Sequence, residues 1–432
     1  MHNNFKPAFI GSLLLIGMMV CMLGYKISQN DNLKQKTEKP VIASDEPAKV
    51  SEPVTALIAA EPSKKKTICL NMIIKDENHV IERCLASVKP IIDTWVIVDT
   101  GSTDGTQKIV KDFMKDIPGE LHERPWVNFG HNRNEALQLA KNKADYILII
   151  DADETLVFKP NFALPELDKD YYHIITEYFS TTYPRNQLIK TSLDWKWVGP
   201  VHEVLCCNEA RHLGILEGVS NFVRPDGNSW QDSEKYKKHA ELLEKAMIEE
   251  PYNARNQFYL AQSYKDADEP ELALKNYEKR IAMGGWHEEV FWSMLQVAMM
   301  NEKLNKDKEI IRKSYADAFH YRPSRIEPLY RLCFYNRSLG DFKGSYEAAL
   351  KGLHVKSSSD FLFIENWIYD YGLLLEYSIA AYWVEKYQEA FLSSQMLLSD
   401  PELPQHVREC VERNMYWINL KLNEQLAKEQ AA

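Results

Sequence analysis

Short aliphatic runs alternate with stretches of helical spacing from Thr67 onward. Thr67–Ile74 (TICLNMII), Trp95–Val98 and Tyr146–Ile150 are rich in β-branched and aliphatic residues, which predicts strands buried on both faces. Val80, Ile81, Cys84, Leu85 and Val88 fall at helical spacing between the first two runs. A second helix opens at Thr103-Asp104 and runs through Ile109 and Phe113, and a third covers Asn134–Lys143. Strand, helix, strand, helix, strand is the pattern of a parallel sheet with crossover helices. Tyr171–Tyr183 (YYHIITEYFSTTY) alternates enough for a strand pair or one long strand. Beyond about Asn228 helical periodicity takes over.

The residues ahead of this pattern differ in kind. Ala8–Gly24 carries no charge and is about seventeen residues long, the lower limit for a spanning helix. A cleaved signal peptide is the alternative, but no small-x-small cleavage site follows, so an uncleaved single-pass anchor over residues 1–27 is expected. Lys26, Lys34, Lys36 and Lys39 follow it and Lys6 precedes it, a bias that favours a cytosolic C-terminal side, while the side of the membrane stays open. Residues 28–66 are rich in Lys, Glu, Pro, Ser and Ala without an apolar face and are expected to form a flexible stem.

Composition narrows the class. At 432 residues the chain suits two or three domains. The 45% hydrophobic and 26% charged fractions are those of a folded globular protein. A net charge of −10 argues against a nucleic-acid binder. Seven cysteines without a CxxC pair point to reduced or buried thiols, not to a disulfide scaffold or a zinc site.

Two of the aliphatic runs stop at an aspartate. VIVDTGSTDGT places Asp99 at the end of one, and YILIIDADE places Asp151 and Asp153 just after another. An acid at the carboxyl end of a buried parallel strand lies where open α/β sheets bind ligands. Alternate residues of extended chain face one way, so Asp151 and Asp153 can reach one ion. A hard cation, Mg2+ or Mn2+, prefers oxygen ligands and would bridge a diphosphate. Asp104 reads more simply as a helix cap.

NMIIKDENHVIERCLASV, VIVDTGSTDGT, HNRNEAL and LIIDADE together resemble the nucleotide-sugar-binding half of glycosyltransferase family 2, over about residues 67–158. The resemblance implies a Rossmann-like GT-A fold, a divalent-metal site and inverting transfer of a sugar from a nucleotide donor. It places Asp99 on a uracil base with Glu77 near it, Arg133 on the donor, Asp151 on the ribose side, and Asp153 on the metal. The family often has an aromatic residue and Asn before the first acid, whereas this chain has Lys75-Asp76-Glu77. WKWVGPVHE, some fifty positions after the D-x-D, resembles a segment of family members that carry helical repeats. It offers His202 as a second metal ligand. Trp195 and Trp197 suit stacking on an acceptor sugar, or plain core. An inverting transferase needs a base: Glu203 is the first choice and Asp194 the second, with Glu154 next to the D-x-D more suited to shaping the loop.

The helical part repeats. Leu260-Ala261, Tyr264, Ala273 and Tyr277 fall at the small and aromatic positions of a tetratricopeptide repeat, and Leu332-Cys333, Gly340, Phe342, Ser345 and Ala349 recover the register about seventy residues on. Tyr315, Ala318 and Pro323 end the unit between them; Ser378, Ala381, Tyr387 and Ala390 give a last, weaker copy. The expected organisation is therefore an α/β GT-A domain over 67–228 and an all-α solenoid over 229–425, which is either a stabilising appendage or a docking surface for a protein partner. The reading is a metal-dependent hexosyl or N-acetylhexosaminyl transferase using a nucleotide sugar, UDP-linked, on a glycan, lipid or protein acceptor. Its alternative is a repeat scaffold with a degenerate transferase half.

Overall fold

The computed structural model describes residues 65–178, 181–356, 358–360 and 362–431. The expected anchor, and the stem apart from Lys65 and Lys66, lie outside these residues. Among the described residues no helix is long and apolar enough to cross a membrane. The chain divides into two units, one through Lys235 and one from Tyr236.

The first unit is built on one eight-stranded sheet. Its strands are β1 (Ile68–Ile74), β2 (Thr94–Asp99), β3 (Gly119–Glu123), β4 (Tyr146–Ile149), β5 (Glu154–Phe158), β6 (Tyr171–Tyr178), β7 (Thr181–Lys190) and β10 (Leu213–Val223), in the order β3-β2-β1-β4-β7-β6-β10-β5. The short strands β8 (Lys196–Val198) and β9 (Val204–Cys206) pair apart from it. The β3-β2-β1-β4 half is parallel, and β7 enters antiparallel beside β4.

Alternate residues explain why β1 and β2 read as unbroken aliphatic runs. Leu70, Met72, Trp95 and Ile97 pack with α1 (Ile81–Val88) and with Val110 of α2 (Thr106–Phe113) on one face. Cys69, Val96, Ile147 and Ile149 pack with Leu137 and Ala140 of α3 (Phe129–Ala140) on the other. Helices on both faces leave no wet side, and the period-two signal disappears.

Two helix starts differ from expectation for local reasons. α2 begins at Thr106, after Gly105 takes φ 90° at the cap position; Asp104, one residue ahead of that cap, accepts from the Thr106 amide and hydroxyl and so holds the turn into the helix. α3 begins at Phe129, five residues before the expected Asn134, because the Asn128 side chain accepts from His131 N. The strand β3 was not expected. GELHE is polar because β3 is an edge strand, partnered only by β2.

In the second unit, from Ala254 onward, helices follow one another as hairpins, each packing on the next. α6 (Ala254–Asp266) and α7 (Pro270–Met283) meet through the fully buried Ala261, Ala273 and Tyr277. α10 (Glu327–Ser338) and α11 (Phe342–Gly352) meet at Cys333 and Ser345, whose side chains each donate to the other's carbonyl. Small residues at the crossing let the helices approach, as the repeat register requires. Asn336, which opens the sequon Asn336-Arg337-Ser338, is buried on α10, where its amide oxygen accepts from Arg312 Nε.

One segment of this unit was invisible to the periodicity. The chain after α11 crosses back so that Phe363 packs against Trp292 of α8 (His287–Lys303), ring centroids 4.7 Å apart, and against Phe258 of α6. Arg325, fully buried over the Phe291 ring, donates to the carbonyls of Leu362 and Phe363 and pairs with Glu327 and Asp360. The face that these helices share is thus covered by the chain's own loop. Phe363→Ala is expected to destabilise the second unit by about 3–5 kcal/mol, the cost of truncating a buried aromatic. Urea unfolding checks this, and a loss below about 1 kcal/mol would mean the loop is not part of the core.

Candidate functional site

β2, β1 and β4 are adjacent and parallel, so their carboxyl ends share one edge of the sheet. Asp99 ends β2, Glu77 follows β1, and Asp151 and Asp153 follow β4. The acids expected from sequence are therefore gathered along three neighbouring strand ends, where such sheets bind ligands.

Asp99 is 1% exposed. Its Oδ1 accepts from Gly101 N and Ser102 N at 2.9 Å each and from Gln107 Nε2 at 3.2 Å. Gly101 adopts φ 106°, which lets the turn fold back onto the carboxylate. Oδ2 is buried with no hydrogen-bond partner among the described residues. Such an orphan costs about 1–3 kcal/mol and is relieved by a ligand donor.

Asp151 lies between two arginines. Arg133 Nη2 donates to Oδ1 at 2.7 Å and Arg185 Nη2 to Oδ2 at 3.1 Å. Burial pushes this carboxyl up, but the two guanidinium groups outweigh it and hold the carboxyl below its usual range. Arg185, on β7, also pairs with Glu154. Burial raises the Glu154 carboxyl, and Arg185 only partly offsets this. Glu154 in turn accepts from Asp151 N, so it shapes the D-x-D loop.

Asp153 and Glu77 have no arginine partner of this kind. Burial, with the charges of Asp151 and Glu154 adding, pushes Asp153 up to about 7. Burial also pushes Glu77 up to about 7, against a hydrogen bond from Asn228 N. Crowded acids with raised affinity for a proton are also acids that a divalent cation would relieve. Asp153 Oδ1 accepts no hydrogen bond from any described residue, so an oxygen ligand is available. Among the described residues, no group of three or more His, Cys, Asp or Glu side chains is arranged to hold a metal ion alone. The expected pairing of Asp153 with His202 is accordingly not a preformed cage.

The GPVHE loop is fixed to α3. Asn134 donates to Trp197 O and accepts from Trp197 N, and Phe129 N donates to Pro200 O. Gly130 is required there: a Cβ would lie 2.1 Å from Gly199 O. These contacts bring Glu203, buried, beside the acids: its Oε1 lies 2.6 Å from Arg133 Nε, although that N–H is not aligned for a hydrogen bond. His202 is buried next to it with φ 52°.

Four expected roles change. Arg133 was assigned to the donor, but its guanidinium is committed to Asp151 and Glu203 and lies over the Trp197 ring at 5.1 Å. Trp197 is a buried support for that arginine. Trp195 is core: it meets Tyr171 edge-on at 5.5 Å and donates to Lys190 O. Neither ring is presented as an acceptor platform. Asp194 is exposed and pairs with Lys196 and Lys141. Lys141 is eight positions beyond Arg133 on α3, on the order of 12 Å along the axis, so Asp194 does not join the acids.

Sequence reasoning missed Arg185 and Trp230. Arg185 had one signal, a charge within a strand that otherwise packs inward. Trp230 had none: its indole Nε1 donates to Asp153 Oδ2 at 2.9 Å from a segment far along the chain.

Fold and site together define a class: an α/β unit with acids at its strand ends, followed by an array of helical hairpins. Residues 69–168 match the Glycosyl transferase family 2 model. The chain is 25% identical over 244 residues to the SPbeta prophage-derived glycosyltransferase SunS of Bacillus subtilis, covering 53% of this chain and 56% of that protein. It is 38% identical over 93 residues to a TPR repeat-containing protein of Synechococcus elongatus, covering 21% of this chain and 22% of that one. The chain therefore spans from about a fifth to about half the length of these curated relatives. Among solved structures, the C-terminal part of a TPR repeat-containing protein from Cytophaga hutchinsonii is 15% identical, with TM-score 0.36, covering 44% of this chain and 67% of that one.

Proposed function

We propose that this chain is a glycosyltransferase that moves a hexose or N-acetylhexosamine from a nucleotide sugar, UDP-linked, to a hydroxyl of a glycan, lipid or protein acceptor. The observation that carries the reading is the gathering of Glu77, Asp99, Asp151 and Asp153 at three adjacent parallel strand ends. In this reading the orphan Oδ2 of Asp99 accepts from the nucleobase N–H. Arg133 and Arg185 hold Asp151 ionised and oriented for ribose hydroxyls. Asp153, with Oδ1 open, would hold Mg2+ or Mn2+, which when bound offsets the charge growing on the leaving diphosphate. Glu203 takes the acceptor proton as the new bond forms. The single-pass anchor at Ala8–Gly24 belongs to the same reading and rests on the sequence alone.

The test is a panel of nucleotide sugars screened by thermal shift with and without Mn2+. Stabilisation by UDP-sugars with Mn2+ is expected, about 2.7 kcal/mol at a hundredfold excess over Kd, and Asp99→Ala should lose it. If no nucleotide sugar stabilises the protein, the scaffold alternative replaces this reading.

A further inference from the structure

The segment between β10 and the second unit is tied to the site at several points. Arg224 N donates to Asp153 O at 3.1 Å. Arg83 grips the Asp226 carboxylate at 2.9 and 2.7 Å, and His79 Nε2 contacts Asp226 O at 2.7 Å. Asn228 N donates to Glu77 Oε2 at 3.1 Å. A Cβ at Gly227 would stand 3.0 Å from the Asp153 carboxylate, so a larger residue would have to push that side chain aside. Trp230 follows, with its indole N–H on Asp153 Oδ2. Its ring is held too: Tyr178 stacks on it at 6.1 Å and the Lys235 ammonium lies 3.9 Å from its centroid.

From this geometry we infer that Trp230 is a positioning residue for Asp153, resting on the donor-site reading above. A carboxylate has about four lone-pair sites. The indole takes one on Oδ2, which restrains the carboxylate and leaves Oδ1, without a donor among the described residues, free for a cation. Clamped by Tyr178 and Lys235, the indole directs its only polar group at one oxygen. A buried or half-buried tryptophan normally finds one acceptor; here that acceptor is the acid assigned to the metal. Partners that orient a metal ligand set its affinity, typically by 10–100-fold.

The test uses the whole chain and measures Mn2+ binding by electron paramagnetic resonance of free Mn2+ in the presence of UDP. Trp230→Phe keeps the ring between Tyr178 and Lys235 and removes only the N–H. It is expected to raise the Mn2+ dissociation constant at least about tenfold while shifting Tm by no more than about 2 °C. Trp230→His, which restores a ring N–H, is expected to recover part of the affinity at pH 8. Asp153→Ala is the control. If Trp230→Phe binds Mn2+ as the natural protein does, the inference is overturned. It is also overturned if the phenylalanine variant loses metal and more than about 5 °C of Tm together while histidine recovers neither, since Trp230 is then only packing. If the natural protein binds Mn2+ no better than Asp153→Ala, the cation reading fails and takes this inference with it.

Discussion

Asp153→Asn is expected to make the first unit more stable at pH 8 and to slow transfer severely at the same time. The folded protein holds a proton on Asp153 up to about pH 7, whereas an unfolded aspartate releases it near pH 4. Between those values the native state binds the proton and the unfolded state does not, so stability falls as pH rises through the window. Above pH 7 the penalty is fully present, about 4 kcal/mol at 1.4 kcal/mol per unit. Asparagine is isosteric, still accepts from Trp230, and carries no charge to desolvate. The stability gain should therefore be near zero at pH 4 and largest at pH 8, measured by urea unfolding without divalent ions. Transfer should fall on the order of a thousandfold, the equivalent of about 4 kcal/mol of lost charge stabilisation. An equal stability change at both pH values would mean that Asp153 is not held neutral by burial.

That opposition between stability and activity marks the site as distinct from the rest of the sheet. Asp151 is a half-buried acid, but Arg133 and Arg185 compensate it. Asp153 and Glu77 receive only an indole and a backbone N–H. The chain thus places its buried guanidinium groups on the first acid of the D-x-D and leaves the second undercompensated. A cation supplied with the substrate would complete the balance.

The parallel half of the sheet was legible because β1, β2 and β4 are buried on both faces, and burial writes itself as aliphatic runs. β3 and β5 were not, since one is a polar edge strand and the other, ETLVF, follows the D-x-D with too few residues to show a period. β10 carries a register shift and a left-handed Gly218, which break its alternation. Asp99, Asp151 and Asp153 were found because an acid ending an aliphatic run is a local signal. Arg185 and Trp230 act across 34 and 77 positions on their partners, and no local pattern encodes such a pairing. The same limit misassigned the tryptophans: WKW reads alike whether its rings face a sugar or the core, and only the contacts of Tyr171 and Arg133 decide. In the helical unit small residues at repeat spacing were enough to place the hairpins, whereas the loop carrying Phe363 has no periodicity.

Glu203→Gln is expected to lower kcat by about 10^2–10^4 while leaving donor affinity and Tm nearly unchanged, the signature of a lost base. The fold tolerates this change because Arg133 keeps its hydrogen bond to Asp151, so no guanidinium is left buried without a counter-charge. Glu203→Ala, by contrast, opens a gap beside Arg133 and should also cost stability. The two variants separate chemistry from packing. Azide separates them further, because it attacks without giving up a proton: it should restore glycosyl transfer in Glu203→Gln and yield a glycosyl azide, and should do little for the natural protein. If Glu203→Gln retains full kcat, the proton goes elsewhere. Asp194 is then still a poor substitute, since Lys196, with Lys141 adding, holds its carboxyl below the usual range beyond the far end of α3. Glu154 is committed to Arg185 and to the Asp151 amide, so the acids at the strand ends leave Glu203 as the one buried carboxylate beside them whose only close charge contact is shared with another acid.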